Sequence, residues 1–211
     1  MRVDLLNTMG SDLEVVNAAR VSFDKASELI DDKIQDRDIK LIRYLAEHGH
    51  WTPFTHCMAT FRVTMPIYVA RQLAKHQVGG SVNEVSRRYV SSAPVLDIPQ
   101  WREAAQNVKQ GSSNKPVFMD SAMTSMIDKT MRACESLYSD LLLSGVCPEQ
   151  ARAVLPLCTE TTWIWTGSLY FFSRVCRLRL DPHAQRETAD VAREISRHMA
   201  YEFPVSWEAL K

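Results

Sequence analysis

The chain has 211 residues, of which 45% are hydrophobic and 24% are charged, so we expect a single globular domain over residues 1–211 with a sizeable core. Its 25 basic residues balance 25 acidic ones. That balance argues against a nucleic-acid polymer or a membrane surface as the partner, because either would favour an excess of lysine and arginine.

Hydrophobic periodicity and turn residues predict helices with a few strands between them. In chain order they are a helix over residues 36–48, a strand over 57–63, a helix over 66–77, a loop over 91–116 with one short helix near Trp101, a helix over 119–144, a short helix over 148–152, a strand over 159–166, and helices over 169–180 and 184–202. Because the strands do not alternate regularly with the helices, the pattern favours an α+β fold over a doubly wound sheet.

The longest predicted helix, residues 119–144, carries a stripe of methionines. Met119, Met123, Met126 and Met131 recur on one face. Adaptable, unbranched side chains at this spacing are typical of a core or of subunit packing, so the stripe predicts a packing face rather than a cofactor site.

Five cysteines are spread along the chain, namely Cys57, Cys134, Cys147, Cys158 and Cys176. No CxxC pair occurs, so neither a zinc knuckle nor a thioredoxin-like pair is expected. The N-terminal segment MRVDLLNTMGSDLEVV lacks a signal-peptide core, and no apolar run approaches the roughly 20 residues of a membrane helix. We therefore expect a soluble, cytoplasmic protein whose cysteines pack as small apolar residues.

The stretch SVNEVSRRY, residues 81–89, has no apolar period and is crowded with hydrogen-bonding side chains. It follows Gly79-Gly80, where exposed backbone N–H groups suit an anion. Arg87 and Arg88 offer forked donors for a phosphate, and Glu84 accepts from hydroxyl or N–H groups. A solvated turn with surface ion pairs is the alternative on residue types alone.

Two further segments are rich in polar side chains. HGHWTPFTH, residues 48–56, gathers three histidines around a Thr-Pro turn, but no acid follows at metal spacing, so no metal site is expected. LRLDPHAQRET, residues 178–188, places charged and amide side chains across a helix break. The alternative there is an ordinary interhelical turn with Asp181 as the N-cap.

Together these segments resemble the flavin-dependent thymidylate synthases. The family signature of Arg-His-Arg, then Ser, Asn-Glu, Ser and Arg-Tyr stands here as RQLAKHQVGGSVNEVSRRY, and AARVSF, HGHWTPFTH, ARAVLP and LRLDPHAQ occur in the family's order. The resemblance implies a mostly helical α+β fold with a small central, mostly antiparallel sheet. It also implies a homotetramer that methylates dUMP to dTMP, with FAD as cofactor and methylenetetrahydrofolate and NADPH as co-substrates.

The resemblance assigns site residues one by one. The dUMP positions are Gln72, Lys75, Glu84, Val85, Ser86, Arg87, Arg88, Arg152 and Arg179. The FAD positions are Ser22, Thr52, Lys75, His76, Gln77, Asn83, Glu84, Ser168 and Arg174. Arg179 is implied at the uracil edge, Ser86 at the substrate and His50 near the flavin and folate, which makes these three the candidate catalytic residues. Each nucleotide site would be shared, with residues 84–88 and Arg179 from one chain and Gln72 and Arg152 from another.

The chain departs from the family pattern in three places. Lys75-His76-Gln77 replaces Arg-His-Arg, and one residue is inserted near Gly79-Gly80. Ser168 and Arg174 occupy positions where many members carry asparagine. A lysine keeps the positive charge but loses the bidentate fork, so the phosphate and flavin contacts at these positions must differ.

Three other functions compete with this interpretation. A cysteine-dependent thymidylate synthase needs an activated thiolate, typically in a Pro-Cys-His setting, and the closest candidate, Cys158 after Leu-Pro-Leu, is better explained by packing. A nucleotide-binding flavin reductase would oxidise NADPH without methyl transfer. A non-enzymatic nucleotide-binding module would bind nucleotide without a yellow cofactor.

Overall fold

The computed structural model describes residues 1–106 and 112–211. The α-helices are α1 (Asp12–Arg20), α2 (Asp36–Glu47), α3 (Ile67–Leu73), α4 (Ser121–Leu143), α5 (Pro148–Ala151), α6 (Leu169–Arg179), α7 (Arg186–Glu202) and α8 (Pro204–Leu210). The strands are β1 (Arg2–Met9), β2 (Met58–Pro66), β3 (Gly80–Glu84), β4 (Arg102–Ala104), β5 (Ser112–Pro116) and β6 (Glu160–Ser168). The predicted α+β class is confirmed.

Four of the strands form one sheet in the order β1-β2-β6-β3. Threonine hydroxyls pair between β2 and β6, with Oγ1 of Thr60 3.0 Å from Oγ1 of Thr166, and Oγ1 of Thr64 3.0 Å from Oγ1 of Thr162. Residue numbers thus rise along β2 as they fall along β6, so the two strands are antiparallel. The predicted small antiparallel sheet is confirmed.

Most helices with a clear apolar period form where the sequence predicts them, whereas α3 ends at Leu73, four residues before the predicted end at residue 77. Helix α2 ends before Gly49, which has a φ of 68° and closes the helix in the left-handed conformation that glycine favours. Asp120 begins α4 by accepting a 2.7 Å hydrogen bond from the N–H of Met123. Helices α6 and α7 are separated by the predicted break at residues 181–182.

Two polar strands form without an apolar period in the sequence. Residues 80–84 form β3, because the backbone pairs with β6 although nearly all of these residues are exposed. The short helix expected near Trp101 is wrong, since β4 pairs there with β5 in antiparallel register. The middle of the loop predicted over residues 91–116, residues 107–111, lies outside the described residues.

The chain folds into two compact units. The first unit consists of Met1, Thr64–Gln72 and Glu84–Trp163. The second unit consists of Arg2–Val63, Leu73–Asn83 and Ile164–Lys211. The single domain expected over residues 1–211 stays a prediction.

The core of the second unit contains a cluster of aromatic rings around the start of α6. Phe171 packs edge-on against Trp165, with ring centroids 5.6 Å apart. A Cβ atom on Gly80 would lie 2.5 Å from Phe171 Cζ, and one on Gly167 would lie 2.2 Å from Phe171 Cδ1. These two positions therefore require glycine, because any larger residue would collide with the ring.

A buried carboxylate ties the C-terminal helix to the second unit. Asp12, in the first turn of α1, accepts hydrogen bonds from the N–H groups of Val205 (2.9 Å) and Ser206 (2.8 Å). Both N–H groups lie in the first turn of α8, where helix donors have no partner of their own. This contact explains how a helix of seven residues is held in place.

Helix α4 in the first unit is largely exposed. Tyr138 is the one residue of the helix that is buried, whereas Met126 is 61% exposed. The methionine stripe is therefore not part of the core of its own chain. Of the two predicted roles, core packing and subunit packing, only packing against another chain remains for the stripe.

Candidate active site

A cavity of about 500 Å³ lies in the first unit. Five of the nine predicted dUMP positions line it, namely Glu84, Val85, Ser86, Arg87 and Arg152. The volume falls within the range of small-molecule sites. Of the other predicted positions, Gln72 ends the segment Thr64–Gln72 of the same unit, while Lys75 and Arg179 belong to the second unit.

Strand β6 holds the backbone of Val85 and the side chain of Glu84 in place at the cavity wall. The N–H of Val85 donates to the carbonyl of Thr162 at 2.9 Å. The Thr161 hydroxyl donates to Oε1 of Glu84 at 2.6 Å. Thr161 was not among the predicted site residues, because it lies within a segment whose only signal is that of a strand. It nevertheless holds the carboxylate at the cavity wall.

Ser86 lies at a turn and is half-buried. Its Oγ accepts a 3.3 Å hydrogen bond from the N–H of Arg88, and its carbonyl accepts from the N–H of Tyr89 at 3.0 Å. Within the described ranges no histidine or carboxylate contacts this hydroxyl, so nothing there activates it as a nucleophile. A hydrogen bond to substrate is the role that this geometry supports.

The three arginines of the first unit that are predicted to bind dUMP, namely Arg87, Arg88 and Arg152, have different surroundings. Arg88 Nε is 2.8 Å from Oε2 of Glu149, and both side chains are exposed. Arg87 donates to the carbonyl of Ser92 at 2.9 Å, and Arg152 Nε donates to the carbonyl of Glu149 at 3.2 Å. In the part of the chain that the structure describes, neither Arg87 nor Arg152 pairs with a carboxylate. Both charges therefore remain for an anion such as phosphate.

The anion nest expected after Gly79-Gly80 does not form as predicted. The carbonyl of Gly79 accepts from the N–H of Ser168 at 3.2 Å, and β3 begins at Gly80. The backbone here takes part in the sheet, so the candidate anion-binding groups near these glycines are side chains.

Most of the predicted flavin positions are exposed side chains of the second unit. The exposed ones are Ser22, Thr52, Lys75, Gln77, Asn83 and Arg174. Among the described residues, none forms a hydrogen bond with the side chain of Lys75, Gln77 or Asn83. Amide and ammonium donors left available in this way fit a cofactor that carries a pyrophosphate and a polar ring edge.

Ser168 differs from these positions because it is buried. Its Oγ accepts a 3.1 Å hydrogen bond from the N–H of Phe171 and so forms the N-cap of α6. A flavin contact through this hydroxyl would compete with the cap. Arg174 lies two turns further along the helix, with its guanidinium 5.9 Å from the ring centroid of Tyr170.

His50 lies on the exposed surface of the second unit beside other rings. Its ring lies edge-on to Tyr44 at 6.0 Å between centroids and 6.4 Å from His48. Tyr44 and His48 stack at 4.0 Å. An exposed group of aromatic rings suits contact with a planar ligand.

His76 and Arg179 are in direct contact. Arg179 Nε donates to His76 Nε2 at 3.0 Å. Burial, followed by the charges of Arg179 and Arg174, lowers the pKa of His76 to about 4. Burial also lowers the pKa of the Arg179 guanidinium, which nevertheless stays charged because its ordinary pKa is so high.

The segment after α6 forms a turn around Asp181. Its Oδ1 accepts from the backbone N–H of His183 at 2.8 Å, and the imidazole Nδ1 of His183 is 3.0 Å away. These hydrogen bonds lower the pKa of Asp181. Because α7 begins only at Arg186, with Gln185 as its N-cap, Asp181 organises the turn but does not cap that helix.

Three of the cysteines lie in surroundings that disfavour a thiolate. Burial raises the pKa of Cys158, whose Sγ lies 3.7 Å from the sulfur of Met131. Burial likewise raises the pKa values of Cys57 and Cys176 to about 12. These surroundings favour packing over catalysis for all three.

The described residues contain neither a metal-binding cluster nor a helix suited to cross a membrane. Across residues 1–106 and 112–211, no three His, Cys, Asp or Glu side chains are grouped so as to hold a metal ion. None of the helices in these ranges has the length and apolar character needed to cross a membrane.

Comparisons with known proteins agree with the sequence signature. The family profile described as thymidylate synthase complementing protein matches residues 4–205. A flavin-dependent thymidylate synthase of Kosmotoga olearia is 36% identical over 98% of this chain and 88% of its own length. One from Thermus thermophilus is 34% identical over 99% of this chain and 75% of its own length.

Solved structures extend this likeness to the fold. The UMP/dUMP methylase PolB from Streptomyces cacaoi, bound with 5-Br dUMP, superposes with a TM-score of 0.82 at 32% identity, covering 99% of this chain and 93% of PolB. PolB bound with 5-Br UMP gives a TM-score of 0.78 at 30% identity, over 99% and 92% of the two chains. The chain belongs to the family of the flavin-dependent thymidylate synthases.

Proposed function

We propose that this protein methylates dUMP to dTMP, with methylenetetrahydrofolate as the one-carbon donor, NADPH as the reductant and FAD as the bound cofactor. The observation that carries the proposal is the cavity of the first unit, where Glu84, Ser86, Arg87 and Arg152 come together. Family membership over nearly the whole chain supports the same reaction.

Each of these side chains has a distinct part in binding the nucleotide. Arg87 and Arg152 bind the phosphate, because they are the cavity arginines without a carboxylate partner among the described residues. The Glu84 carboxylate accepts from a sugar hydroxyl, and the Ser86 hydroxyl bonds the substrate. For Arg179 we keep the role implied by the resemblance, in which a guanidinium at the pyrimidine edge stabilises the negative charge that develops on the ring.

The exposed donors of the second unit are the residues that would hold FAD. Lys75 and Arg174 supply positive charge for its phosphates, and Gln77 and Asn83 supply amide groups for its polar edges. When bound, FAD supplies the redox chemistry of the reaction. The protein's own contribution is to orient the reactants and to bind them away from water.

We also propose a cytoplasmic homotetramer with nucleotide sites shared between chains. The support is the exposed apolar face of α4, which a second chain would cover. Arg152 lines a cavity with Glu84, Ser86 and Arg87 of its own chain. Arg152 and Arg179 are therefore the pair of residues whose chains of origin test whether a site is shared.

UMP is a second candidate substrate. The structural relative PolB is a UMP/dUMP methylase and has been crystallised with both brominated nucleotides. Because the two substrates differ only in a sugar hydroxyl, a chain with this cavity must be assayed with both.

The test is an assay of the purified protein with FAD, methylenetetrahydrofolate, NADPH and either dUMP or UMP. Formation of dTMP, detected by mass spectrometry and dependent on added FAD, is the expected result. NADPH oxidation without any methylated nucleotide would instead identify a flavin reductase. Nucleotide binding without FAD binding would identify a non-enzymatic module.

The variant Cys158→Ser separates the proposal from a cysteine-dependent synthase. It should keep wild-type dTMP formation, because no step proposed here uses a thiolate. Complete loss of dTMP in a folded, FAD-binding Cys158→Ser protein would contradict the flavin-dependent mechanism.

A further inference from the structure

A hydrogen bond joins the loop after α3 to the end of α6 within the second unit. The N–H of His76 donates to the carbonyl of Leu73, the last residue of α3, at 3.0 Å. Arg179, the last residue of α6, donates through Nε to His76 Nε2 at 3.0 Å. The imidazole is therefore anchored through its own backbone and can serve as a fixed point for the guanidinium.

The bond requires one protonation state of the imidazole. A guanidinium has only donors, so His76 Nε2 must be unprotonated, and the proton of the neutral ring must be on Nδ1. The surroundings maintain this state, because burial and the charges of Arg179 and Arg174 lower the pKa of His76 to about 4. The imidazole is thus an acceptor throughout the neutral pH range.

The two cations that face His76 both come from α6 but have different contacts. Arg179 is bonded to the imidazole, whereas Arg174 lies against the Tyr170 ring at 5.9 Å. Lys75 and Gln77 adjoin His76 in the chain and are exposed. Arg174 therefore acts on His76 through its charge, which disfavours a proton on the imidazole.

We infer that His76 is a positioning residue for Arg179: its neutral imidazole accepts from Nε and fixes the direction of the guanidinium plane before the nucleotide binds. The inference rests on the proposed function, which gives Arg179 the uracil edge. It gives His76 a different role from the flavin contact that the resemblance implies for this residue. A guanidinium held in one direction needs no reorganisation when charge develops on the pyrimidine.

The test replaces His76 with a residue that lacks an acceptor and with one that keeps it. In His76→Leu, the rate of dTMP formation at saturating dUMP should fall about 30- to 100-fold, the scale of a misplaced catalytic group. In His76→Gln, whose amide oxygen reaches the position of Nε2, the rate should stay within about 5-fold of wild type. His198→Leu removes another half-buried histidine of the same unit and should have no effect.

A second measurement separates positioning from flavin contact. FAD affinity and the rate of flavin reduction by NADPH should change less than about 3-fold in His76→Leu, because Arg179 and not FAD loses a partner. The double variant His76→Leu/Arg179→Ala should be no slower than Arg179→Ala, because a positioning residue has no effect without its target. Parallel losses of FAD affinity and dTMP formation would overturn the inference, as would full activity of His76→Leu.

Nitrogen-15 NMR gives a readout that does not depend on turnover. The wild-type spectrum should show His76 as the neutral ring protonated on Nδ1, and the Arg179 Nε–H resonance should shift in His76→Leu and return in His76→Gln. A wild-type protein that forms no dTMP would contradict the proposed function. In that case the Arg179 Nε–H resonance alone would test whether His76 positions Arg179. A resonance that does not shift in His76→Leu would overturn the inference.

Discussion

The buried hydroxyl of Thr161 donates a 2.6 Å hydrogen bond to the carboxylate of Glu84 on the wall of the cavity in the first unit. This bond occupies Oε1 and fixes the carboxylate, so that Oε2 can accept from a ligand. Thr161 thus orients the Glu84 carboxylate for ligand binding without contacting the ligand itself.

Removing this hydroxyl should weaken nucleotide binding. In Thr161→Val, dUMP binding should lose about 1–2 kcal/mol, the scale of one hydrogen bond to a charged group. The measurement is dUMP titration by calorimetry. Thr161→Ser should restore dUMP binding. The control is Thr166→Val, on the same strand as Thr161, which breaks a comparable hydrogen bond to Thr60 of β2 and should leave dUMP binding unchanged. Wild-type affinity in Thr161→Val would show that Glu84 does not need this partner.

Loss of Arg179 should separate methyl transfer from flavin chemistry. In Arg179→Ala, dTMP formation should fall by roughly 10²–10³, the range for a single lost electrostatic group at a reacting centre. Flavin reduction by NADPH should be largely spared, since the assigned contact is to the pyrimidine. Arg177→Ala, two residues earlier on the same helix, is the matched control. Near wild-type turnover of Arg179→Ala at saturating dUMP would remove this residue from the mechanism.

The low pKa of His76 should make the fold less stable in acid. The folded protein holds this pKa at about 4, below the ordinary value of 6.5, so between these values the unfolded chain binds more protons than the folded one. The stability due to the neutral imidazole is therefore complete above pH 6.5 and is lost as the pH falls towards 4. Urea unfolding of the wild type and of His76→Gln should show a steeper decline for the wild type in this window. Equal slopes would contradict a buried, neutral His76.

Mixed oligomers can establish whether sites are shared. Arg152→Ala and Arg179→Ala should each be nearly inactive alone. If the two arginines of one site come from different chains, co-refolding equal amounts should restore about a quarter of the sites, since each variant chain supplies the arginine that the other lacks. Activity of the refolded mixture is compared with that of each variant refolded alone. Mixed oligomers without any regained activity would place both arginines in the site of a single chain.

Local sequence patterns predicted the elements that bury a regular face. Helix α2 places Ile42 and Leu45 in the core, and that period is visible in the sequence. Strand β3 has no apolar period, because nearly all its residues are exposed. Only its pairing with β6 makes it a strand. Helix α8 is too short for a period and depends on the distant carboxylate of Asp12.

The sequence named residues of the candidate site, which stay predictions, but it did not indicate their contacts. The signature pointed to Glu84, His76 and Arg179, because their residue types and order are distinctive. Their partners lie far away in sequence, since Thr161 follows Glu84 by 77 residue numbers and Arg179 follows His76 by 103. No periodicity or local motif encodes such contacts, so they required the folded structure.

The ring of Phe171 acts as a spacer between the sheet and α6. It touches Gly80 on β3 and Gly167 on β6, and it lies in the first turn of the helix that ends at Arg179. Phe171 and Arg179 are ~12 Å apart along α6. Because a helix is stiff over this length, a displacement of Phe171 would also displace Arg179. Libraries intended to change the substrate of this protein should therefore leave both glycines fixed and vary the cavity wall instead.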